Sequence, residues 1–292
     1  MAERSIVIIG LPESGKTTFL AALWHLITER DVDTLLRFHE LSRGEVSHLN
    51  EIAARWRDAK VQDRTAVAGN RLVSMNLLDN AGVPVRVTFP DVPGEAYRRM
   101  WEDRECDPEI AKILYEGDVI FFIHADKIQA PKWVVDEVAL SNELGLEVSE
   151  NPVVQWHPEL APTQVQLADL LQLLRRSPLD NGPRRLAIMM SAWDKASGEG
   201  LSPRAYLEQK LPLLAQYLQL GADDWTWRIY GLSAQGGDYD KTNSNAHPKP
   251  EAEALRNLDS PSKRIMLLEN GAKTHDLTRP LAWLMECRTL GG

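Results

Sequence analysis

The side chains with the clearest chemistry lie at positions 10–17, which read G-L-P-E-S-G-K-T and follow an apolar run at 6–9. The spacing G-x-x-x-x-G-K-T is typical of a loop that binds phosphate between a buried strand and a helix. Gly10 and Gly15 permit backbone conformations that a Cβ would obstruct. The backbone N–H groups of residues 13–17 can therefore converge on phosphate oxygens.

Two side chains of this loop have individual roles in the prediction. We expect Lys16 to place its ammonium on the β- and γ-phosphates and the Thr17 hydroxyl to ligate Mg²⁺. A chance match in a glycine-bearing turn is the alternative, and the apolar strand before the motif and the apolar helix pattern after it disfavour that alternative. The predicted nucleotide-binding residues of the loop are Gly10, Glu13, Ser14, Gly15, Lys16, Thr17 and Thr18.

A second candidate for phosphate chemistry is the segment D-V-P-G-E at 91–95, which ends a predicted hairpin. An Asp at the carboxyl end of a strand beside a phosphate loop suits a ligand of Mg²⁺ or its water, which makes Asp91 a metal-site candidate. Gly94 would let a backbone N–H approach the γ-phosphate. A plain turn at a strand exit is the alternative, and the position after the hairpin favours the functional interpretation.

Two later segments can read the base of a nucleotide. A predicted strand at 185–191 runs into S-A-W-D at 191–194, and a strand at 226–232 runs into S-A-Q at 233–235. With these segments the chain resembles the translation-factor-like, or TRAFAC, class of P-loop GTPases. Members of that class carry an N/T-K-x-D motif after one strand and an S-A-K/x motif after the next.

The resemblance implies GTP and GDP as ligands, together with Mg²⁺. Asp194 matches the carboxylate that accepts from guanine N1–H and the N2 amine, a pair of donors that adenine lacks. Ser233, Ala234 and Gln235 match the loop whose backbone N–H groups approach guanine O6.

The base motif departs from the class at two positions. Ala192 stands where a Lys usually packs along the base, and Ser191 replaces the usual Asn or Thr. Trp193 or Lys195 would have to supply the missing contact. The departure leaves an ATPase on the same scaffold as an alternative, and a helix N-cap is the alternative role for Asp194.

The resemblance also implies a switch threonine and a catalytic position. Thr65 directly precedes the hairpin and is preferred over Thr34 as the Mg²⁺ ligand from the first switch, with an ordinary loop threonine as the alternative. Glu95 occupies the place of the catalytic Gln of many relatives. An unshifted carboxylate is unfavourable beside phosphates, so we expect slow hydrolysis. The predicted catalytic residues are Lys16 and Glu95, and the predicted metal ligands are Thr17, Thr65 and Asp91.

The narrower resemblance rests on three stretches. The start G-L-P-E-S-G-K-T-T-F-L-A-A-L, the segment D-V-P-G-E and the late R-P-L-A-W-L at 279–284 look most like double-GTPase domains of bacterial defence and signalling gene clusters.

Composition limits the partners. The formal net charge is −9, which argues against a nucleic acid or an anionic membrane surface as partner. The two cysteines, Cys106 and Cys287, lack metal-ligand spacing, and no secretory signal or apolar run of membrane-spanning length is present. We therefore expect a cytoplasmic protein.

The order of elements predicts an α/β fold. Apolar runs at 5–10, 118–125, 185–191 and 226–233 alternate with helical patterns, which is typical of a three-layer P-loop NTPase with a mostly parallel, doubly wound sheet. One antiparallel edge hairpin is predicted from 70–79 and 84–90. Helical patterns occur at 16–29, 44–60, 163–176, 203–219 and 278–287.

We expect residues 1–292 to form a single GTPase-like domain. Two long connections interrupt it, an inserted segment at 127–162 and a polar loop at 234–262. The segment 95–101 mixes charged and large aromatic side chains and predicts a contact with a protein partner or a second copy; packing on the sheet is the alternative. We therefore expect a Mg²⁺-dependent regulatory switch that binds GTP and hydrolyses it slowly, and an interaction module that binds nucleotide without hydrolysing it is a further alternative.

Overall fold

The computed structural model describes residues 5–62, 71–91, 94–131, 157–221, 223–240 and 247–286. Its strands are β1 Ser5–Gly10, β2 Arg37–Arg43, β3 Arg71–Leu78, β4 Pro84–Asp91, β5 Gly117–His124, β6 Arg184–Ser191, β7 Trp225–Ser233, β8 Met266–Glu269 and β9 Ala272–Thr274. Its helices are α1 Lys16–Glu29, α2 Val46–Arg57, α3 Gly94–Glu102, α4 Pro108–Glu116, α5 Thr163–Leu173, α6 Trp193–Ala196, α7 Pro203–Lys210, α8 Pro212–Leu220, α9 Pro250–Arg256 and α10 Arg279–Met285. None of these helices is long and apolar enough to cross a bilayer.

One nine-stranded sheet runs through the described part of the chain, in the order β2-β3-β4-β1-β5-β6-β7-β8-β9. The central run from β4 to β7 is parallel, and the strands outside it are antiparallel. Within this run, β1, β5 and β6 are near-continuous apolar runs because both of their faces are covered.

Two hydrophobic clusters lie on opposite faces of this sheet. In β1, Ile6 and Ile8 point into a cluster with α1, α2, α9 and α10, whereas Val7 and Ile9 point into a cluster with α3, α4, α5, α7 and α8. This alternation follows from the two-residue period of a strand. The three-layer, mostly parallel α/β fold predicted from the sequence is therefore confirmed.

The sheet edges correct one part of that prediction. The β3–β4 hairpin forms as expected, but β2 adds a further antiparallel strand outside it, and β8 and β9 add two more at the opposite edge. These three strands lack an apolar pattern that would predict them, because β2 reads R-F-H-E-L-S-R and is mostly exposed, and β8 and β9 have only four and three residues.

The predicted helix at 203–219 is two helices. Leu211, between α7 and α8, has φ −133° and ψ 55°. Pro212 follows it, and a proline disfavours helical geometry in the residue before it.

The two long connections are partly described. The Thr163 N–H donates to the Gln129 carbonyl oxygen at 3.0 Å, and the Gln129 N–H donates to the Thr163 hydroxyl at 2.9 Å, so these two residues lie side by side. Residues 132–156 between them lie outside the described residues. The predicted polar loop at 234–262 contains α9, while residues 241–246 of it are also outside the described part.

Candidate nucleotide-binding site

The predicted site segments meet at one edge of the sheet. β1, β5, β6 and β7 are parallel neighbours, so their carboxyl ends lie side by side. Gly10 pairs with Phe122, His124 pairs with Ser191, and Ser191 pairs with Leu232. The phosphate loop after β1 is thereby brought next to the two segments that follow β6 and β7. Ligands of open α/β sheets bind at this edge.

The phosphate loop depends on its two glycines. A Cβ at Gly10 would lie 2.7 Å from the Ser14 hydroxyl and 2.8 Å from the carbonyl oxygen of Phe122. Gly15 has φ +92°, and a Cβ there would lie 3.2 Å from the side chain of Ser191. The loop therefore has a compact cradle that only glycine fits at these two positions.

Lys16 lies across this cradle at the start of α1. Its ammonium donates to the carbonyl oxygens of Gly10 and Leu11 at 2.7 and 2.9 Å and to the Ser14 hydroxyl at 3.2 Å. Gly15 is the N-cap of α1 and has no side chain to bond the first-turn N–H groups, which leaves that end of the helix suited to an anion. A phosphate group fits the chemistry of this donor set.

A buried serine connects the phosphate loop to the third parallel strand. The Ser191 hydroxyl donates to the carbonyl oxygen of Ser14 at 2.8 Å and lies 3.3 Å from that of Ile123. Both serines are buried. In the sequence Ser191 stands out only as a replacement for the usual Asn or Thr. Its hydroxyl supplies a hydrogen bond that fixes the phosphate loop relative to the segment bearing Asp194.

Asp194 is exposed within the short helix α6. The N-cap of that helix is Ala192, in the left-handed region at φ 53°, so the alternative role of Asp194 as a helix N-cap does not apply. Asp194 follows β6, whose carboxyl end lies at the same sheet edge as the phosphate loop, and its contact with guanine stays a prediction.

Neither proposed substitute for the missing Lys lies free on the surface. Trp193 is buried, packs edge-on against Tyr206 at 5.3 Å, and occupies the space beside Gly231, where a Cβ would lie 2.7 Å from the indole. Lys195 forms an ion pair with Asp238 at 3.1 Å, and this hydrogen bond raises the pKa of Lys195. The role of Trp193 is therefore to pack in the hydrophobic core.

The loop after β7 is held from several sides. The Ser233 hydroxyl accepts from Gly236 N–H at 3.2 Å, and the Ala234 carbonyl accepts from the indole N–H of Trp56 at 2.8 Å. Gln235 between them is partly exposed. The predicted O6 loop is therefore an ordered turn at the site edge.

A family model decides the class to which this site belongs. The model of the Double-GTPase 1 family matches residues 7–284 of the chain. The chain belongs to the Double-GTPase 1 family. No curated protein sequence matches it.

Solved structures resemble this Double-GTPase 1 chain only distantly. The Ski7 GTPase-like domain of S. cerevisiae, bound to GDP and inorganic phosphate, is 12% identical with a TM-score of 0.41, and the match covers 87% of this chain and 48% of that one. The signal recognition particle receptor complex SRb-GTP/SRX of Chaetomium thermophilum is 13% identical with a TM-score of 0.39, covering 88% and 96%. Similarities at this distance carry no information about ligands of the present chain.

The second phosphate-side segment of the Double-GTPase 1 chain is described in part. Asp91 is the last residue of β4, which runs parallel to β1, so it lies at the same edge as the phosphate loop, and Gly94 begins α3. The side chains of Asp91 and Glu95 and the whole of Thr65 lie outside what the structure describes. Their assigned roles remain predictions. Within the described residues, no cluster of three or more His, Cys, Asp and Glu side chains could hold a metal ion.

Helix α3 packs inward rather than presenting its aromatic side chains. Tyr97, Met100 and Trp101 are buried against the sheet, and the Tyr97 hydroxyl donates to the carbonyl oxygen of Ile8 at 3.1 Å. The Tyr97 ring also lies 5.5 Å from the Lys16 ammonium. For these three side chains the alternative of packing on the sheet is the correct one, whereas Arg99 is exposed.

Proposed function

We propose that this Double-GTPase 1 chain binds Mg²⁺·GTP at the carboxyl edge of its parallel strands, hydrolyses it slowly and acts as a regulatory switch. The observation that carries the proposal is the hydroxyl of Ser191, which joins the phosphate loop at Ser14 to the segment that bears Asp194. This hydrogen bond supports the proposal because it ties the loop proposed to bind phosphate to the segment proposed to read the base. Membership of a GTPase family supports the same ligand.

Phosphate binding in this proposal comes from the loop and from Lys16. The backbone N–H groups of residues 13–17 would receive the phosphate oxygens, and the Lys16 ammonium would neutralise the β- and γ-phosphates. The Thr17 hydroxyl and Asp91 would hold Mg²⁺ directly or through water, with Thr65 added when the first switch closes. The ion supplies further neutralisation of charge on the phosphates during transfer.

Slow hydrolysis is inferred from Glu95. A catalytic glutamine orients the attacking water without adding charge, whereas a carboxylate at the same place is repelled by the phosphates. The carboxylate could orient water, but we expect the repulsion to dominate.

Guanine selectivity is inferred from the two base-side segments. Asp194 would accept the two guanine N–H donors, and backbone N–H groups of residues 233–235 would meet O6. Ala192 lacks the side chain with which a Lys would pack along the base, so the affinity for guanine nucleotides would depend on hydrogen bonds more than on stacking.

The deciding experiment identifies the nucleotide released when the purified protein is denatured, followed by titration with GTP and ATP in the presence and absence of Mg²⁺. We expect GDP or GTP to be released and GTP to bind more tightly than ATP. Equal or tighter binding of ATP would replace this proposal with an ATPase. Tight binding of GTP without release of phosphate over many hours would identify a non-hydrolysing module.

A further inference from the structure

Trp56 contacts the base-side loop from outside the pocket. It lies near the end of α2, is fully buried, and its indole N–H donates to the Ala234 carbonyl at 2.8 Å across 178 residues of sequence. The Arg264 guanidinium lies 4.6 Å from its ring and the His25 ring lies 5.0 Å away. Because the Arg264 and His25 side chains pack against the indole ring, the direction of its N–H is fixed.

The accepting carbonyl belongs to the peptide group that also carries the Gln235 N–H. This peptide is trans, so its carbonyl and N–H point in opposite directions. By holding the carbonyl, Trp56 fixes where the Gln235 N–H points. A donor that must meet an acceptor within hydrogen-bond distance depends on such an orientation.

The rest of the loop is fixed by contacts that do not involve Trp56. Ser233 pairs with Met266 of β8 and accepts from Gly236 N–H. Gly236 passes so close to Arg264 that a Cβ would lie 2.7 Å from the Arg264 carbonyl oxygen. The orientation of the peptide between residues 234 and 235 is the element of this turn that the indole sets.

Helix α2 is itself firmly attached at this place. The buried Arg264 guanidinium donates to the carbonyl oxygens of Trp56 at 2.7 Å and Leu255 at 2.7 Å. Just after α2, the backbone carbonyl oxygen of Ala59 accepts from the Asp240 N–H, and the Val61 N–H donates to the backbone carbonyl oxygen of Asp240, both at 2.9 Å. The indole therefore acts from a rigid support rather than from a mobile helix end.

We propose that Trp56 is a positioning residue for guanine recognition, which orients the peptide between residues 234 and 235 so that the Gln235 N–H is presented to guanine O6. The inference rests on the proposed function, in which this loop lies at the O6 edge of the base. It assigns a role in base selectivity to α2, which contributes no residue to the proposed contacts with the base.

The test compares GTP with 6-thioguanosine triphosphate, in which sulfur, a weaker acceptor, replaces O6. Wild-type protein should prefer GTP, and Trp56→Phe should narrow that preference by about three- to ten-fold, the usual effect of one neutral hydrogen bond. The preference for GTP over xanthosine triphosphate should stay unchanged, because it depends on the Asp194 edge of the base.

Trp24→Phe is the matched control. Trp24 is also buried, and its indole N–H donates to the side chain of Asn50 on α2 at 2.9 Å, so the control loses the same kind of bond without touching the base loop. The preference for oxygen over sulfur should survive in Trp24→Phe. An unchanged preference in Trp56→Phe, or an equal narrowing in both variants, would overturn the inference.

A measurement on the unaltered chain covers the case in which Trp56→Phe does not fold. In ¹⁵N-labelled protein, the Gln235 amide and the Trp56 indole signals should differ between the GTP and 6-thioguanosine triphosphate complexes, whereas the Trp24 indole signal should not. Identical Gln235 and Trp56 signals in both complexes would refute the role of Trp56. Wild-type protein that binds no GTP would overturn the proposed function, and this inference with it.

Discussion

At the scale of single residues, the site depends on a few polar contacts that span long stretches of chain. Ser191 reaches Ser14 across 177 residues, and Lys16 is oriented by three acceptors of its own loop. The side chains with predicted chemistry, Lys16, Thr17 and Asp194, take no part in the hydrophobic clusters. Their replacement should therefore change binding more than folding.

Lys16→Ala and Thr17→Ala should each remove most of the thermal stabilisation that GTP·Mg²⁺ gives to the wild-type protein. A ligand present at one hundred times its Kd stabilises a fold by about 2.7 kcal/mol, which is readily seen in melting curves. Lys210→Ala on α7, which removes an ion pair with Glu199, is the control and should keep the full shift. Variants that retain the wild-type shift would show that the phosphate loop has been misassigned.

Asp194→Asn should move the preference from guanine toward xanthine nucleotides. The amide can donate to the xanthine oxygen, where the carboxylate could only accept. We expect a change of at least about tenfold, or 1.4 kcal/mol, in the ratio of the two dissociation constants. Asp238→Asn, at a neighbouring carboxylate that pairs with Lys195 and Lys249, is the control. A ratio that is equal in wild type and Asp194→Asn would exclude Asp194 from the base site.

At the scale of elements, α3 connects the phosphate side of the site to the sheet. Tyr97, Met100 and Trp101 anchor it in the core, so a change in the position of α3 with the γ-phosphate would have to move these side chains. Trp101→Ala would create a cavity that costs about 3–5 kcal/mol of folding free energy, which makes it unsuitable for testing partner binding. The exposed Arg99 is the better probe.

Self-association should be stronger with a non-hydrolysable GTP analogue than with GDP, because only a difference in affinity between nucleotide states can switch an interaction. We propose that the outer face of α3 takes part, so Arg99→Glu should remove the difference in sedimentation velocity. Lys112→Glu, exposed on the neighbouring helix α4, is the control. If self-association is equal in both nucleotide states, and if the proteins that bind the chain in a capture experiment are also the same in both states, the chain is a nucleotide-binding scaffold rather than a switch.

At the scale of the whole molecule, the dependence of stability on pH includes a contribution from two histidines that the fold buries fully or in part. Burial lowers the pKa of His25, and its Nε2 has no hydrogen-bond partner among the described residues. Burial also lowers the pKa of His124. In the unfolded chain these two histidines take up protons near the ordinary histidine pKa of 6.5, whereas burial in the folded chain lowers their pKa values, so that they take up protons only at lower pH. Stability is therefore full above that value and falls as the solution is acidified through it.

The melting temperature should consequently decrease between pH 7.5 and 5.5, with each such histidine contributing at most about 1.4 kcal/mol per pH unit to the slope. His25→Gln should flatten the profile, since a side chain that does not titrate removes this contribution. His39→Gln, at an exposed position on β2, is the matched control. A profile of the same steepness in His25→Gln and wild type would contradict this account.

Much of the architecture and of the phosphate side was determined by local sequence. The apolar run of β1, the spacing of Gly10, Gly15 and Lys16, and the continuous hydrophobicity of β5 and β6 predict their elements because each signal is contained within a few residues. The positions of Asp194 and of residues 233–235 followed from strands that could be located in the same way. The family resemblance on those motifs was also correct.

Only the tertiary structure decided the contacts between distant segments. The exposed β2 and the short β8 and β9 carry too little apolar periodicity to be recognised, and they form because the sheet edges offer unpaired backbone groups. The burial of Tyr97, the bond from Ser191 to Ser14 and the bond from Trp56 to Ala234 likewise depend on which strands become neighbours. A local pattern determines how a segment folds but contains no information about which partner lies across 177 or 178 residues of chain, since that is set by packing of the complete sheet.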